Sequence, residues 1–167
     1  MPNKTLTQIT SSLPSLQSTD GKIVTVLSGG LDSTILTYVL TKHYGKDNVI
    51  ALTFDYNQRH TIEIDKARLT CKKLGIEHKV INMGFLGDIV SPVSALSNKG
   101  DVDVPDIENV LGDPQPVTYV PYRNLIMSSL AFALAESNGA EFIALGIQNT
   151  DNYSYWDTTP YFMDKLN

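Results

Sequence analysis

Beyond residue 21 the apolar positions alternate between two spacings. Residues 22 to 27 form a β-branched apolar run that predicts a strand. Ile35, Leu36, Val39 and Leu40 then recur at helical spacing up to Tyr44 and Gly45, and the turn Lys46-Asp47-Asn48 leads into a second, buried strand from Val49 to Phe54. Ile64, Ala67, Cys71 and Leu74 mark the apolar face of the next helix. Lys72, Lys73 and Gly75 signal its end, and a short strand follows at His78 to Ile81. From Ser91 to Pro116 the pattern dissolves into Pro, Gly and Asp. It resumes with a helix from about Asn124 to Glu136, apolar on nearly every side and therefore expected to be buried, and a strand from Glu141 to Gly146. Gln148 to Pro160 is a polar and aromatic loop beyond that strand. Alternating strands and helices predict an α/β fold with a parallel sheet: one domain over 21–167, preceded by a polar extension over 1–20.

Composition narrows the function classes. The chain has 167 residues, 42% of them hydrophobic, enough for one good core. Its net charge of -5 argues against a nucleic-acid track. No apolar run is long enough to span a bilayer, and Met1 to Asp20 lacks the charged start and apolar middle of a signal peptide, so a cytoplasmic protein with no membrane partner is expected. Cys71 is the one cysteine. It forms neither a disulfide nor a cysteine-built zinc site within these residues, and its place on an apolar stripe predicts core packing.

The densest chemistry lies where the first strand meets the first helix, at Ser28-Gly29-Gly30-Leu31-Asp32-Ser33. Two glycines let backbone approach an anion closely, Ser28 and Ser33 add hydroxyls, and the N–H groups of the helix that follows point at the same spot. A Walker loop would need four residues between its glycines and a Lys-Ser or Lys-Thr pair after the second; Leu31 and Asp32 stand there instead. Asp32 either caps the helix or shares a Mg²⁺ ion with phosphates.

Two further clusters follow. Asp55-Tyr56-Asn57-Gln58-Arg59-His60 comes directly after the second strand, at the sheet edge where ligands sit in open α/β folds. Arg59 can grip phosphate oxygens and His60 can move a proton, or the run is a polar turn capping the next helix. In Val120-Pro121-Tyr122-Arg123-Asn124 a rigid proline precedes the apolar helix. Arg123 suits a phosphate, and Asn124 suits either a helix cap or a nucleotide.

The first loop resembles the pyrophosphate (PP) loop of the ATP pyrophosphatase superfamily. Taken together, the clusters resemble the 7-cyano-7-deazaguanine synthases over roughly residues 22 to 157. The loop matches one signature, Phe54 to His60 a second, Val120-Pro121 with Arg123-Asn124 a third, and Gly146, Thr150 and Asp151 a fourth. The resemblance implies a Rossmann-like parallel sheet with helices on both faces, of the adenine nucleotide alpha hydrolase type. It also implies ATP-dependent ligation of 7-carboxy-7-deazaguanine with ammonia, through adenylated intermediates and an amide, to the nitrile used in queuosine biosynthesis.

On that reading Ser28, Gly29, Gly30, Leu31, Asp32, Ser33, Phe54, Arg123 and Asn124 hold the nucleotide, with Asp32 as the Mg²⁺ ligand. Asp32, Arg59, His60 and Arg123 serve the chemistry. Tyr56, Gln58, Thr150, Asp151, Tyr155 and Asp157 receive the substrate, the two acids accepting from a guanine-like edge and Tyr155 stacking on the base. The resemblance further favours a homodimer.

The chain departs from the family in two places. Tyr153-Ser154-Tyr155-Trp156-Asp157-Thr158-Thr159 stands where the family has Ser-Gly-Tyr-Pro-Asp-Cys-Arg. The four-cysteine zinc portion that the family carries towards its carboxyl end has no counterpart before Asn167. Rival readings are therefore a PP-loop ligase that stops at the amide or uses another carboxylate, and a nucleotide-binding relic without turnover.

Overall fold

The computed structural model describes residues 21–56, 62–90, 120–147 and 155–166. Among them four strands form one sheet: β1 (Lys22–Val26), β2 (Val49–Asp55), β3 (Glu77–Asn82) and β4 (Ala140–Leu145), in the order β3-β2-β1-β4. The helices are α1 (Leu31–Tyr44), α2 (Ile62–Leu74), α3 (Gly84–Val90), α4 (Arg123–Asn138) and α5 (Pro160–Leu166), with 3₁₀ turns at Lys46–Asn48 and Trp156–Thr158. None of the described helices is long and apolar enough to cross a membrane.

The described residues fall into two compact units. The first comprises 21–53, 63–80 and 131–146, and the second the remainder. In the first, β1 pairs in parallel with β2 on one side, Ile23 opposite Val49 and Val26 opposite Leu52, and with β4 on the other. β1 is buried from Ile23 to Thr25 and β2 from Val49 to Phe54, which accounts for their largely apolar sequences. The core packs Ile23, Val49 and Ala51 against Leu40 and Tyr44 of α1 and Ala67 and Cys71 of α2. Val24, Ile50 and Leu52, at the alternate strand positions, are buried as well.

Two expectations from periodicity are corrected here. The buried positions of α1 are Ser33, Thr37, Val39, Leu40 and Tyr44, while Ile35 is 52% exposed. Thr37 can be buried because its hydroxyl donates to the Ser33 carbonyl at 2.8 Å. The apolar helix near residue 124 is not buried on all sides either: in α4 Ser128, Ala131 and Ala135 form one covered stripe, and Phe132 remains 40% exposed. Its apolar circumference exceeds what one packed face can cover.

The second unit contains α3, the first two turns of α4, the 3₁₀ turn and α5. Trp156 stands edge-on between Tyr122 and Phe162, with ring centroids 5.2 Å from each.

Candidate functional site

The strand order places β2 and β4 on opposite sides of β1, so the order of strands across the sheet reverses at β1, and its carboxyl end is the position where open α/β sheets bind ligands. The loop from Ser28 to Gly30 lies there and passes directly into α1. Its hydroxyls hold one another: Ser28 Oγ and Ser33 Oγ are 2.9 Å apart, the Ser28 N–H donates to Ser33 Oγ at 3.2 Å, and the Gly30 N–H donates to Ser28 Oγ at 3.2 Å. The N-cap of α1 is Gly30, with no side chain bonded to the first turn, so the leading N–H groups have no partner within the helix. Such a turn presents N–H donors suited to an anion.

Glycine is required at one place in this cradle and favoured at another, for different reasons. Gly29 has φ 91°, and a Cβ there would lie 2.0 Å from the Glu63 carbonyl oxygen at the start of α2. Gly146, just past β4, would set a Cβ 3.0 Å from both the Cα and the nitrogen of Ser33. The loop is thus clamped between the first turn of α2 and the chain leaving β4.

Asp32 lies in the first turn of α1 and is exposed. Because Gly30 is the cap residue and carries no side chain, the capping role for Asp32 is excluded, which leaves an exposed carboxylate beside the loop. One such group fits Mg²⁺, which takes one or two carboxylates together with phosphate oxygens and retained waters. No group of three or more His, Cys, Asp or Glu converges among the described residues. Cys71 does not fit a thiolate ligand: it is buried in the core, and burial pushes its thiol up to about 11. Leu31 is 74% exposed.

In the second unit, Phe54 is buried and Tyr56 half-buried at the end of β2. Arg123 and Asn124 open α4, and Tyr122 before them has φ 55°, a left-handed conformation rare for a residue with a side chain. Asn124 does not cap the helix, since Arg123 is already helical. Its N–H instead donates to Asp157 Oδ2 at 3.1 Å, and its amide donates to the Asp157 carbonyl at 3.2 Å. The cap therefore comes from outside the helix. Asp157 is buried, with Oδ1 left without a hydrogen-bond partner among the described residues. Burial raises its pKa against the opposing pull of the Asn124 N–H and the Arg123 charge. Tyr155 is half-buried, and its carbonyl accepts from the Thr158 hydroxyl at 2.8 Å. Gln58, Arg59, His60, Thr150 and Asp151 lie outside the described residues.

Sequence reasoning missed Thr53 and His78. Thr53 is buried in β2 and donates to the Leu27 carbonyl at 2.7 Å, and His78 Nε2 is 2.8 Å from its hydroxyl. A lone Thr inside an otherwise apolar buried strand was the available signal, because a buried hydroxyl requires a partner.

A parallel β3-β2-β1-β4 sheet with this loop at the mouth of β1 defines a PP-loop fold of the adenine nucleotide alpha hydrolase type. The NH3-dependent NAD synthetase of Campylobacter jejuni has the same fold: TM-score 0.53 and 16% identity over 97% of this chain and 78% of that one. Sequence carries the assignment further. The family described as "Queuosine biosynthesis protein QueC" matches residues 22–167, and the chain belongs to that family. It is 40% identical over 147 residues to 7-cyano-7-deazaguanine synthase 1 of Colwellia psychrerythraea, covering 87% of this chain and 64% of that protein. To the 7-cyano-7-deazaguanine synthase of Novosphingobium aromaticivorans it is 42% identical over 140 residues, covering 84% and 57%. The chain thus spans somewhat under two thirds of the length of these relatives.

Proposed function

We propose that the chain is an ATP-dependent carbon–nitrogen ligase that converts 7-carboxy-7-deazaguanine and ammonia to 7-cyano-7-deazaguanine. The observation that carries this reading is the Ser28–Ser33 cradle at the carboxyl end of β1, in a chain of this family. The cradle grips the β and γ phosphates of ATP and leaves the α phosphorus open. The substrate carboxylate attacks that phosphorus and pyrophosphate departs. Ammonia then attacks the acyl carbon and expels AMP, giving the amide. The amide oxygen takes an adenylyl group from a second ATP with release of pyrophosphate and a proton, and loss of AMP with a second proton leaves the nitrile.

Ser28, Ser33 and the leading N–H groups of α1 stabilise charge on the departing pyrophosphate, and Arg123 neutralises phosphate oxygens. Asp32 would hold Mg²⁺, which would shield the charge of the phosphates. Asp151 and Asp157 accept from the guanine-like edge, Tyr155 stacks on the base, and Tyr56 and Gln58 line the same substrate. Arg59 and His60 supply phosphate contact and proton transfer as the amine attacks. No covalent nucleophile is needed, because positioning and anion stabilisation suffice for adenylyl transfer.

A second reading, a ligase that stops at the amide, is favoured by the commitment of Asp157 Oδ2 to Asn124 together with the altered residues around it. One assay separates the readings. The purified chain is incubated with ATP, Mg²⁺, ammonium and 7-carboxy-7-deazaguanine, AMP is quantified, and the base is weighed by mass spectrometry. Nitrile supports the first reading and amide alone the second. ATP binding without AMP formation refutes both and leaves a non-catalytic nucleotide binder. Light scattering of the same preparation tests the homodimer.

A further inference from the structure

We propose that His78 is a positioning residue for the phosphate loop, acting through Thr53 on the peptide plane between Leu27 and Ser28. That plane is held at both poles. Its carbonyl oxygen accepts from Thr53 Oγ1 at 2.7 Å, and its N–H donates to Ser33 Oγ at 3.2 Å. Leu27 sits just past β1, where its own N–H still reaches Leu52 of β2 at 2.8 Å. Its carbonyl is thus the last main-chain acceptor before the chain turns into Ser28 and Gly29. The tilt of this plane sets the direction in which both residues leave the sheet, because the two dihedrals on either side of a rigid peptide are the only soft ones.

Thr53 has a single hydroxyl proton, which is spent on Leu27. It therefore accepts from His78, whose Nε2 must carry a hydrogen at 2.8 Å. Burial, assisted by the charge of Arg68, lowers the basicity of His78 and favours the neutral ring, and the bond to Thr53 assigns its proton to Nε2. The ring stops the Thr53 hydroxyl from swinging away from Leu27, so a residue on β3 orients a loop that begins after β1. Cooperative chains of this kind hold geometry more firmly than their links taken singly. The inference rests on the ATP reading only for its affinity measurement.

The test uses the full chain and four substitutions. Thr53→Val removes the hydroxyl at constant shape, and Thr53→Ser restores it. His78→Gln places an amide N–H near the Nε2 position, and His78→Asn falls short. Amide hydrogen exchange is followed across Ser28–Ser33 and compared with Ile50 and Leu52, and Mg·ATP affinity is measured in parallel. Thr53→Val and His78→Asn are expected to speed loop exchange and weaken ATP binding by about tenfold, the effect of one hydrogen bond of ordinary strength. Exchange at Ile50 and Leu52 should stay as in the native chain. Thr53→Ser and His78→Gln should return both readouts to within about threefold of native. The proposal is overturned if His78→Asn leaves the loop unchanged, if His78→Gln behaves like His78→Asn, or if exchange rises equally in the strand and the loop. Should the native chain fail to bind ATP, the ATP reading fails, and the exchange data still decide the role of His78.

Discussion

Asp157 caps a helix it does not belong to: its carboxylate accepts the N–H of Asn124, 33 residues earlier, and its carbonyl accepts the Asn124 amide. The paired bonds tie the 3₁₀ turn at Trp156–Thr158 to the first turn of α4 and so fix the residues that follow the strained Tyr122. Asp157→Ala should cost about 1 to 2 kcal/mol of stability, the range for loss of a helix cap, read as a lowered midpoint in urea.

Asp157→Asn should behave differently, in a pH-dependent way. Burial raises the Asp157 pKa in the fold above its unfolded value, so the folded state favours the protonated form. The resulting stabilisation is complete below the unfolded pKa and is lost as pH rises through the folded one. Asn keeps an acceptor for the Asn124 N–H and never ionises. Its stability relative to the native chain should therefore improve as pH rises from acid towards neutral, measured by urea unfolding across that window. A gap that is constant with pH would show that Asp157 titrates alike in the folded and unfolded states.

Gly29→Ala should disable the loop. A methyl at 2.0 Å from the Glu63 carbonyl must displace α2 or the loop, and φ 91° disfavours any side chain. The expected outcome is a loss of about 2 to 3 kcal/mol on thermal unfolding, together with no measurable Mg·ATP binding by calorimetry.

Gly146→Ala is the graded version of that experiment. Its methyl would press on Ser33 at 3.0 Å, a contact relieved by a shift of a few tenths of an ångström. Stability should fall by about 1 kcal/mol and ATP affinity by about tenfold, because Ser33 Oγ organises the loop.

Cys71 should resist alkylation in the folded chain. It is buried, and its thiol is pushed up to about 11, so at pH 8 only about one molecule in a thousand carries a thiolate. The rate of modification by a maleimide should track the unfolded fraction as urea is added.

The alternation of apolar runs placed each strand found among the described residues in its correct segment, with boundaries shifted by only a residue or two. β2 was legible because a strand buried on both faces has no polar alternation to blur it. Ile35 and α4 were misjudged for the opposite reason: periodicity counts apolar residues and does not know which neighbour covers them. The Ser28–Ser33 loop was legible because its residues are contiguous, six that share one turn. Thr53 and His78 were not, since their partnership joins two strands and a third carbonyl across 25 and 26 positions of sequence.

By itself, then, the order of residues determined the α/β alternation, the glycine loop and its hydroxyls, and the motifs that mark the family, because each is written within one local stretch. Only the tertiary structure decided that Gly29 is pinned by Glu63 and Gly146 by Ser33, that Asp157 rather than Asn124 completes α4, and that a threonine and a histidine steady the Leu27 peptide. Those are contacts between segments distant in the chain. Their energies depend on separations of a few ångströms that no local pattern encodes.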